Sequence, residues 1–267
     1  MPFQFQNSPL SRTAPPWGRA LLGVLCGLVL ALVFFAPASW LSPALAAASH
    51  NRLQLLDTRG TVWNGSAQLV LAGGLGSRDR AELPGRMQWK LRPAWSGLTI
   101  GINAPCCTPE TLQARLRLGW DSQQVHVANA TSQWPAIMLA GLGTPWNTVQ
   151  AQGKLVLTTQ TLSLQWFKGR LAMQGNAQLQ ALDMSSRLST TRPMGSYQLL
   201  LTGGTVPTLA LSTLSGKLML TGNGSWVGSR FRFSGLASVE PELMGGFMNL
   251  LNIIGRRQGA QSIITLG

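Results

Sequence analysis

The chain has 267 residues and a formal net charge of +13, with 45% hydrophobic and only 11% charged residues. This length is sufficient for a hydrophobic core and allows either one large β domain or two smaller ones. The basic net charge favours anionic partners. The composition, with few charged residues and many Gly, Ser, Thr, Gln and Asn, is typical of secreted and envelope β proteins and argues against a soluble helical protein.

The first predicted element is an apolar helix at residues 20–36, which contain no charged side chain. Such a run satisfies its backbone polar groups internally as a helix, and seventeen residues at ~1.5 Å each just span a bilayer core. Arg12 and Arg19 precede the run, and the next basic residue is Arg52. The positive-inside rule therefore predicts a cytoplasmic segment at 1–19, a transmembrane helix at 20–36, and an exported body.

The apolar run has two other interpretations. The small residues at 44–48 could belong to the cleavage region of a signal peptide, but they lie unusually far from the end of a run that is itself longer than usual. A buried helix of a cytosolic protein is disfavoured, because the run is apolar on every face. We therefore predict an uncleaved anchor followed by a linker at 37–50.

The rest of the chain, residues 51–267, is predicted to form an antiparallel β-rich domain, arranged as an extended curved sheet or a sandwich. Short runs with period-2 alternation are separated by Gly, Asn, Pro and Ser, as in successive antiparallel strands with one covered face. The predicted strands lie at 68–72, 86–92, 98–103, 112–119, 124–128, 153–158, 162–167, 170–181, 196–202, 216–221 and 229–234.

Two further elements lie near the ends of this domain. Residues 53–71 read as strand, turn and strand, with Gly60 and Gly65 at positions that tolerate positive φ, and Trp63 is predicted to cover an open edge of the core. Residues 241–254 carry apolar side chains at helical spacing, which predicts a short amphipathic helix that caps the sheet. A last strand is predicted at 261–266.

Candidate chemistry is sparse. The adjacent Cys106 and Cys107 could form a strained turn-forming disulfide, an intermolecular contact or, by default, two buried thiols. With no second cysteine pair and only His50 and His126, we predict no metal site and no cofactor. No catalytic spacing is present, so the chain is not expected to be an enzyme.

The basic residues indicate which partners to expect. Arg12 and Arg19 are the only basic residues before residue 50, so the remainder carries 21 − 2 = 19 basic against 8 acidic residues, or +11. Export argues against nucleic acid as a partner. Anionic lipid headgroups, an acidic subunit, or simply solvated strand faces remain as interpretations of the arginine pairs.

Two stretches resemble the type II secretion system protein N family. The first is the motif Gly60, Thr61, Val62, Trp63, Asn64 and Gly65, followed by Ser66 and Ala67, and the second is the stretch 250–259 with the final strand. The resemblance implies a single-pass inner-membrane protein with a periplasmic β-rich body. It also implies an accessory role in moving folded proteins from the periplasm across the outer membrane, with other type II secretion components as partners. The family pattern brings no catalytic residues and gives no role to the cysteine pair.

A second functional hypothesis rests on the expected architecture. A long antiparallel sheet with one apolar face, closed by a terminal amphipathic helix, could form a groove for acyl chains, as in an envelope protein that binds or transports lipid. An envelope hydrolase ranks third, with His126 as its candidate residue.

Overall fold

A computed structural model describes residues 17–119, 121–167, 170–228 and 230–267. The chain divides into two compact units, Met1–Ala36 and Pro37–Gly267. In the first unit, α1 spans Trp17–Phe35, so a helix is present over the predicted apolar run. Most of the predicted cytoplasmic segment, residues 1–19, lies outside the described residues. Among the helices of the described ranges, none meets the length and hydropathy expected of a membrane span.

The second unit begins with two short helices in the segment expected to be a linker. A 3-10 helix occupies Ala38–Trp40, and α2 occupies Leu41–Ala48. Leu41 and Leu45, one helical turn apart, pack against a cluster in which Ala38, Leu55, Ala67 and Trp89 are buried. Residues 38–48 are therefore part of the body.

Within the described residues, sixteen strands form one antiparallel sheet that is not closed, which confirms the mainly β prediction and favours the single sheet over the sandwich. The strands are β1 Leu53–Gly60, β2 Asn64–Ala72, β3 Arg80–Glu82, β4 Met87–Ala94, β5 Gly97–Asn103, β6 Leu112–Leu118, β7 Ser122–Val127, β8 Ala130–Pro135, β9 Gln152–Phe167, β10 Arg170–Ser185, β11 Gly195–Gly204, β12 Thr208–Gly216, β13 Leu218–Val227, β14 Arg230–Val239, β15 Arg256–Gln258 and β16 Gln261–Leu266. Along the sheet their order is β1-β2-β4-β5-β6-β7-β9-β10-β11-β12-β13-β14-β16-β15, with β3 paired to β2 and β8 to β9.

Four helical segments complete the described part of this unit. A seven-residue 3-10 helix, Ala136–Leu142, follows β8, and α3 spans Trp146–Val149. A 3-10 turn at Pro241–Leu243 leads into α4, Met244–Ile254, where the sequence predicted the amphipathic helix.

The connections between strands divide the sheet into two edges. Only two or three residues separate β1 from β2, β4 from β5, β6 from β7, β9 from β10, β11 from β12 and β13 from β14. The pairing places these strand ends, with the end of β16, at one edge, here called the tip edge. The opposite edge carries the longer connections with the 3-10 helix Ala136–Leu142, α3 and α4, and is called the helix edge.

Apolar side chains line up on one face of the sheet. Leu157 lies opposite Leu179, which in turn lies opposite Leu199, and Leu199 lies opposite Leu211. The same register continues through Leu98, Leu116 and Val125 of β5 to β7. Because side chains alternate along a strand, the intervening Gln178, Gln198 and Ser212 lie on the other face. We call these the apolar face and the polar face.

Helix α4 covers the apolar face at the helix edge. Its Phe247 and Leu251 are fully buried, and they belong to one cluster with Tyr197, Leu218 and Ala237 of the sheet. The predicted capping role of this helix is therefore what the structure shows. Burial beneath α4 raises the pKa of the Tyr197 hydroxyl.

Candidate functional site

The motif at 60–65 forms the tip of the β1–β2 hairpin. The Thr61 amide donates to the carbonyl of Asn64 at 3.0 Å, and the Asn64 amide donates to Thr61 Oγ1 at 3.1 Å. These reciprocal bonds close the turn around Val62 and Trp63. Such side-chain to backbone bonds are the usual reason why Thr and Asn occupy turns.

The two glycines of the motif are required by close backbone approach. Gly60 has φ +88°, and a Cβ there would lie 2.5 Å from the Asn64 carbonyl oxygen. At Gly65, a Cβ would lie 2.5 Å from Trp89 Cζ2 and 2.8 Å from the Arg59 carbonyl oxygen. Gly65 therefore makes room for a tryptophan of the neighbouring strand.

Trp89 connects the motif to the core. Its ring is 5% exposed, within the cluster that includes α2 side chains, while its Nε1 donates to the Val62 carbonyl at 2.9 Å. The amide of Leu91 donates to the Trp63 carbonyl at 2.7 Å, and Trp63 itself is half-buried. One side chain of β4 thus fixes the turn by a hydrogen bond and by packing.

An arginine pair surrounds the bulge in β1 beside this turn. Asp57 has φ +46°, at a point where the β1–β2 pairing shifts, and it forms ion pairs with Arg59 at 2.9 Å and Arg86 at 2.5 Å. Hydrogen bonds from Arg59 and then Arg86 hold the pKa of the Asp57 carboxyl below its ordinary value of 3.8. Arg86 also donates to the Asp57 carbonyl at 2.6 Å, so it joins the bulge to the sheet.

The structure places Cys106 and Cys107 far from the motif in the topology, in the β5–β6 connection at the helix edge. Their sulfurs form a disulfide, and only Cys107 is buried, which differs from the two buried thiols taken as the default. The Cys107 carbonyl accepts from the Gln133 amide at 2.7 Å, linking this turn to β8. The turn and the motif are thus two separate features.

The chemistry of the remaining polar groups is limited. Within the described ranges, no group of three or more His, Cys, Asp and Glu side chains could hold a metal ion. His126 lies on the polar face of β7, opposite Arg115 of β6 and Ser163 of β9. No described element brings it to the motif or to the disulfide.

Hydroxyls on the apolar face are turned toward the backbone. Thr159 Oγ1 donates to the Ala128 carbonyl at 2.9 Å, Thr213 Oγ1 to the Leu220 carbonyl at 2.9 Å, and Ser262 Oγ to the Leu251 carbonyl at 2.8 Å. These bonds satisfy the hydroxyl donors internally and leave methyl and methylene groups as the surface of the face.

The exposed side chains of the tip edge could not be recognised from the sequence. Large apolar residues stand exposed in or beside its turns, with Trp95 at 106% exposure, and they are Trp95, Leu118, Trp166, Phe167, Val206, Val227 and Leu266. Their common signal in the sequence is a large apolar residue directly beside a predicted turn. A single apolar residue beside a turn does not indicate a surface in the sequence. These residues form a row only because strand pairing brings the strand ends together at one edge.

The chain was compared with known proteins. The family model described as "Type II secretion system (T2SS), protein N" matches residues 51–264, which is most of the chain. Neither the comparison with curated proteins nor that with solved structures gave a significant match.

Proposed function

Because the chain belongs to the type II secretion system protein N family, we propose that it is an inner-membrane accessory component of the type II secretion machinery. In this role it supports the passage of folded proteins from the periplasm across the outer membrane. The observation that carries the proposal is the family match over residues 51–264, which covers the motif at 60–65, α4 and all of the sheet except the last two residues of β16.

The proposed topology has α1 in the inner membrane and the β-rich unit in the periplasm. Supporting this assignment are the uncharged run at 20–36 and the basic residues Arg12 and Arg19 before it. The sequence of the purified mature chain's N-terminus tests it. An N-terminus at Ala47 or Ser49 would overturn the anchor, whereas residues 1–19 retained on the chain agree with it.

We further propose that the role is structural and not enzymatic. The motif residues support this, because their polar atoms are used in the turn and in contacts with β4, as shown by the bonds of Thr61 and Asn64. The partners proposed are other type II secretion components, which contact the periplasmic unit.

A secretion assay tests the proposed function. In the organism that carries the chain, deletion of its gene is expected to retain a type II substrate in the periplasm, and expression of the full chain is expected to restore its release. A periplasmic protein that is never secreted serves as the leakage control. Equal release of the substrate with and without the chain would contradict a role in secretion.

A further inference from the structure

We propose that the apolar face binds the acyl chains of anionic phospholipid, which enter from a bilayer surface at the tip edge of the sheet. This inference goes beyond the secretion role and does not depend on it. It rests on the lining of the face, on the difference between its two edges, and on the arginines beside the tips.

The lining favours hydrocarbon. Across successive strands the face presents Ile100, Leu116, Leu164, Leu199 and Leu211, all half-buried. Burial of an apolar surface of this kind contributes roughly 25 cal/mol per Å². The hydrocarbon of an acyl chain has no hydrogen-bonding group, so it loses no hydrogen bond to water when it binds to the apolar face.

A peptide occupant fits the same lining less well. Each peptide unit carries a donor and an acceptor, and burying them unpaired is unfavourable because each loses its hydrogen bond to water. The hydroxyls of Thr159, Thr213 and Ser262 already donate to this chain's own backbone. Between a peptide and an acyl chain, the face therefore favours the acyl chain.

The two edges of the face differ in how they end. At the helix edge, Phe247, Leu250 and Leu251 of α4 fill the space over the sheet and are buried. At the tip edge, the strands end in turns with exposed Trp95, Leu118 and Val227. Tryptophan and aliphatic side chains of this kind are the groups that enter a membrane interface. The tip edge is therefore the entrance that the proposal requires.

Charge beside the tips identifies the class of lipid. Arg117 directly precedes Leu118, Arg230 lies opposite Val227, and Arg92 lies three residues before Trp95. These arginines are exposed, and none forms an ion pair with another described residue. Guanidinium groups pair bidentately with phosphate, and each basic residue near an anionic bilayer adds to the electrostatic attraction.

A hollow of about 710 Å³ near the tip edge offers a place for the headgroup. It lies between β12, β13, β14 and β16, and its polar lining includes Asn223, Ser225, Arg232 and Ser234. Arg232 is exposed and sits on the polar face, one residue from the buried Phe233.

Photocrosslinking in intact cells tests the proposal on the full chain. A photoreactive phenylalanine analogue is placed at Leu211 or Ile100 on the apolar face, and at the adjacent Ser212 or Thr99 on the polar face as matched controls. Cells are labelled with radioactive phosphate, irradiated, and the purified chain is examined for labelled lipid adducts by gel and mass spectrometry. Equal accumulation and equal limited-proteolysis patterns of the four variants establish that they fold.

The expected result is a labelled phospholipid adduct at Leu211 and Ile100 that exceeds the adduct at Ser212 and Thr99 severalfold. The absence of lipid at both apolar positions, equal labelling of the two faces, or adducts with protein in place of lipid would each overturn the proposal.

Substitutions at the edges test the route of entry. Trp95→Asp combined with Val227→Asp is expected to lower the lipid adduct at Leu211 severalfold. Leu75→Asp serves as the control, because Leu75 is 85% exposed but lies in the β2–β3 connection at the helix edge. An unchanged adduct in the tip variant, or an equal loss in the Leu75→Asp variant, would contradict entry at the tip edge.

Discussion

The hairpin tip requires glycine at position 65, because a larger residue there would collide with Trp89. Gly65→Ala would place a methyl group against Trp89 and against two backbone carbonyl oxygens, those of Arg59 and Thr61, each within 2.8 Å. Overpacking of this kind costs about 1–3 kcal/mol, because the backbone cannot move away as a flexible side chain can. Chemical unfolding of the full chain in mild detergent should therefore show a lower free energy of unfolding.

The control for this prediction is another glycine. Gly245 lies in α4 with nothing within 4 Å of its added Cβ, so Gly245→Ala should stabilise the helix by about 0.5–1 kcal/mol. Equal effects of the two substitutions would show that the contact between Gly65 and Trp89 is not what the motif requires.

Asp57 gives a prediction for the dependence of stability on pH. In the folded chain the pKa of the Asp57 carboxyl is lowered, by Arg59 first and Arg86 second. The ionised carboxylate therefore stabilises the fold fully above the ordinary pKa of 3.8, and this stabilisation is lost as the pH falls through the lower pKa of the folded chain. Asp57→Asn should lower the thermal midpoint at pH 7. The difference in thermal midpoint between Asp57→Asn and the unmodified chain should vanish once the pH lies below the lowered pKa of Asp57.

The comparison needs a control for the loss of one negative charge. Asp121→Asn provides it, because Asp121 forms no ion pair with any other described residue. A difference for Asp57→Asn that stays constant from pH 7 down to pH 2 would refute the role of the ionised carboxylate.

At the residue scale, the sequence identified the motif but could not show its partner. Glycine and asparagine turn chemistry predicted a hairpin tip at 60–65, and the structure has one. Trp89 lies 24 positions after Gly65, so its contact follows from strand pairing and not from local pattern. The disulfide between Cys106 and Cys107 depends on the conformation of one turn, which adjacency in sequence leaves open.

At the scale of elements, β9 shows why boundaries were harder to predict than elements. Thr161 and Gly175 both have positive φ, and the β9–β10 register shifts beside them. The sequence read this irregularity as a turn between strands at 153–158 and 162–167, whereas it is a bulge within one 16-residue strand. Strands β3, β8, β12 and β15 escaped prediction. A three-residue segment such as Arg80–Glu82 becomes a strand only when a neighbour pairs with it.

Helix α4 was predictable from its apolar spacing, and its contribution to stability can be tested. Phe247 is fully buried in the cluster beneath the helix, so Phe247→Ala should cost about 3–5 kcal/mol of the free energy of unfolding. Met248→Ala, at an adjacent position that is 39% exposed, should cost about 0.5 kcal/mol or less. Similar losses for both variants would mean that α4 does not cap the sheet as described.

At the scale of the whole molecule, the alternation of apolar and polar residues predicted an antiparallel sheet with one covered face. The sheet has one apolar and one polar face, and α4 covers the apolar face at the helix edge. Strand order and the two distinct edges could not be predicted, because they depend on pairings between residues far apart in the chain, such as Gln180 with Gln198 and Ser234 with Thr265. The row of exposed tips follows only from that order.

The central claim is that the chain works as a component of the type II secretion machinery. The most direct measurement is crosslinking in intact cells, followed by purification of the tagged full chain from solubilised membranes and identification of the crosslinked proteins. The account predicts that other type II secretion components are enriched over the level recovered with an unrelated single-pass protein of the same membrane. Recovery of the same proteins with both would contradict it.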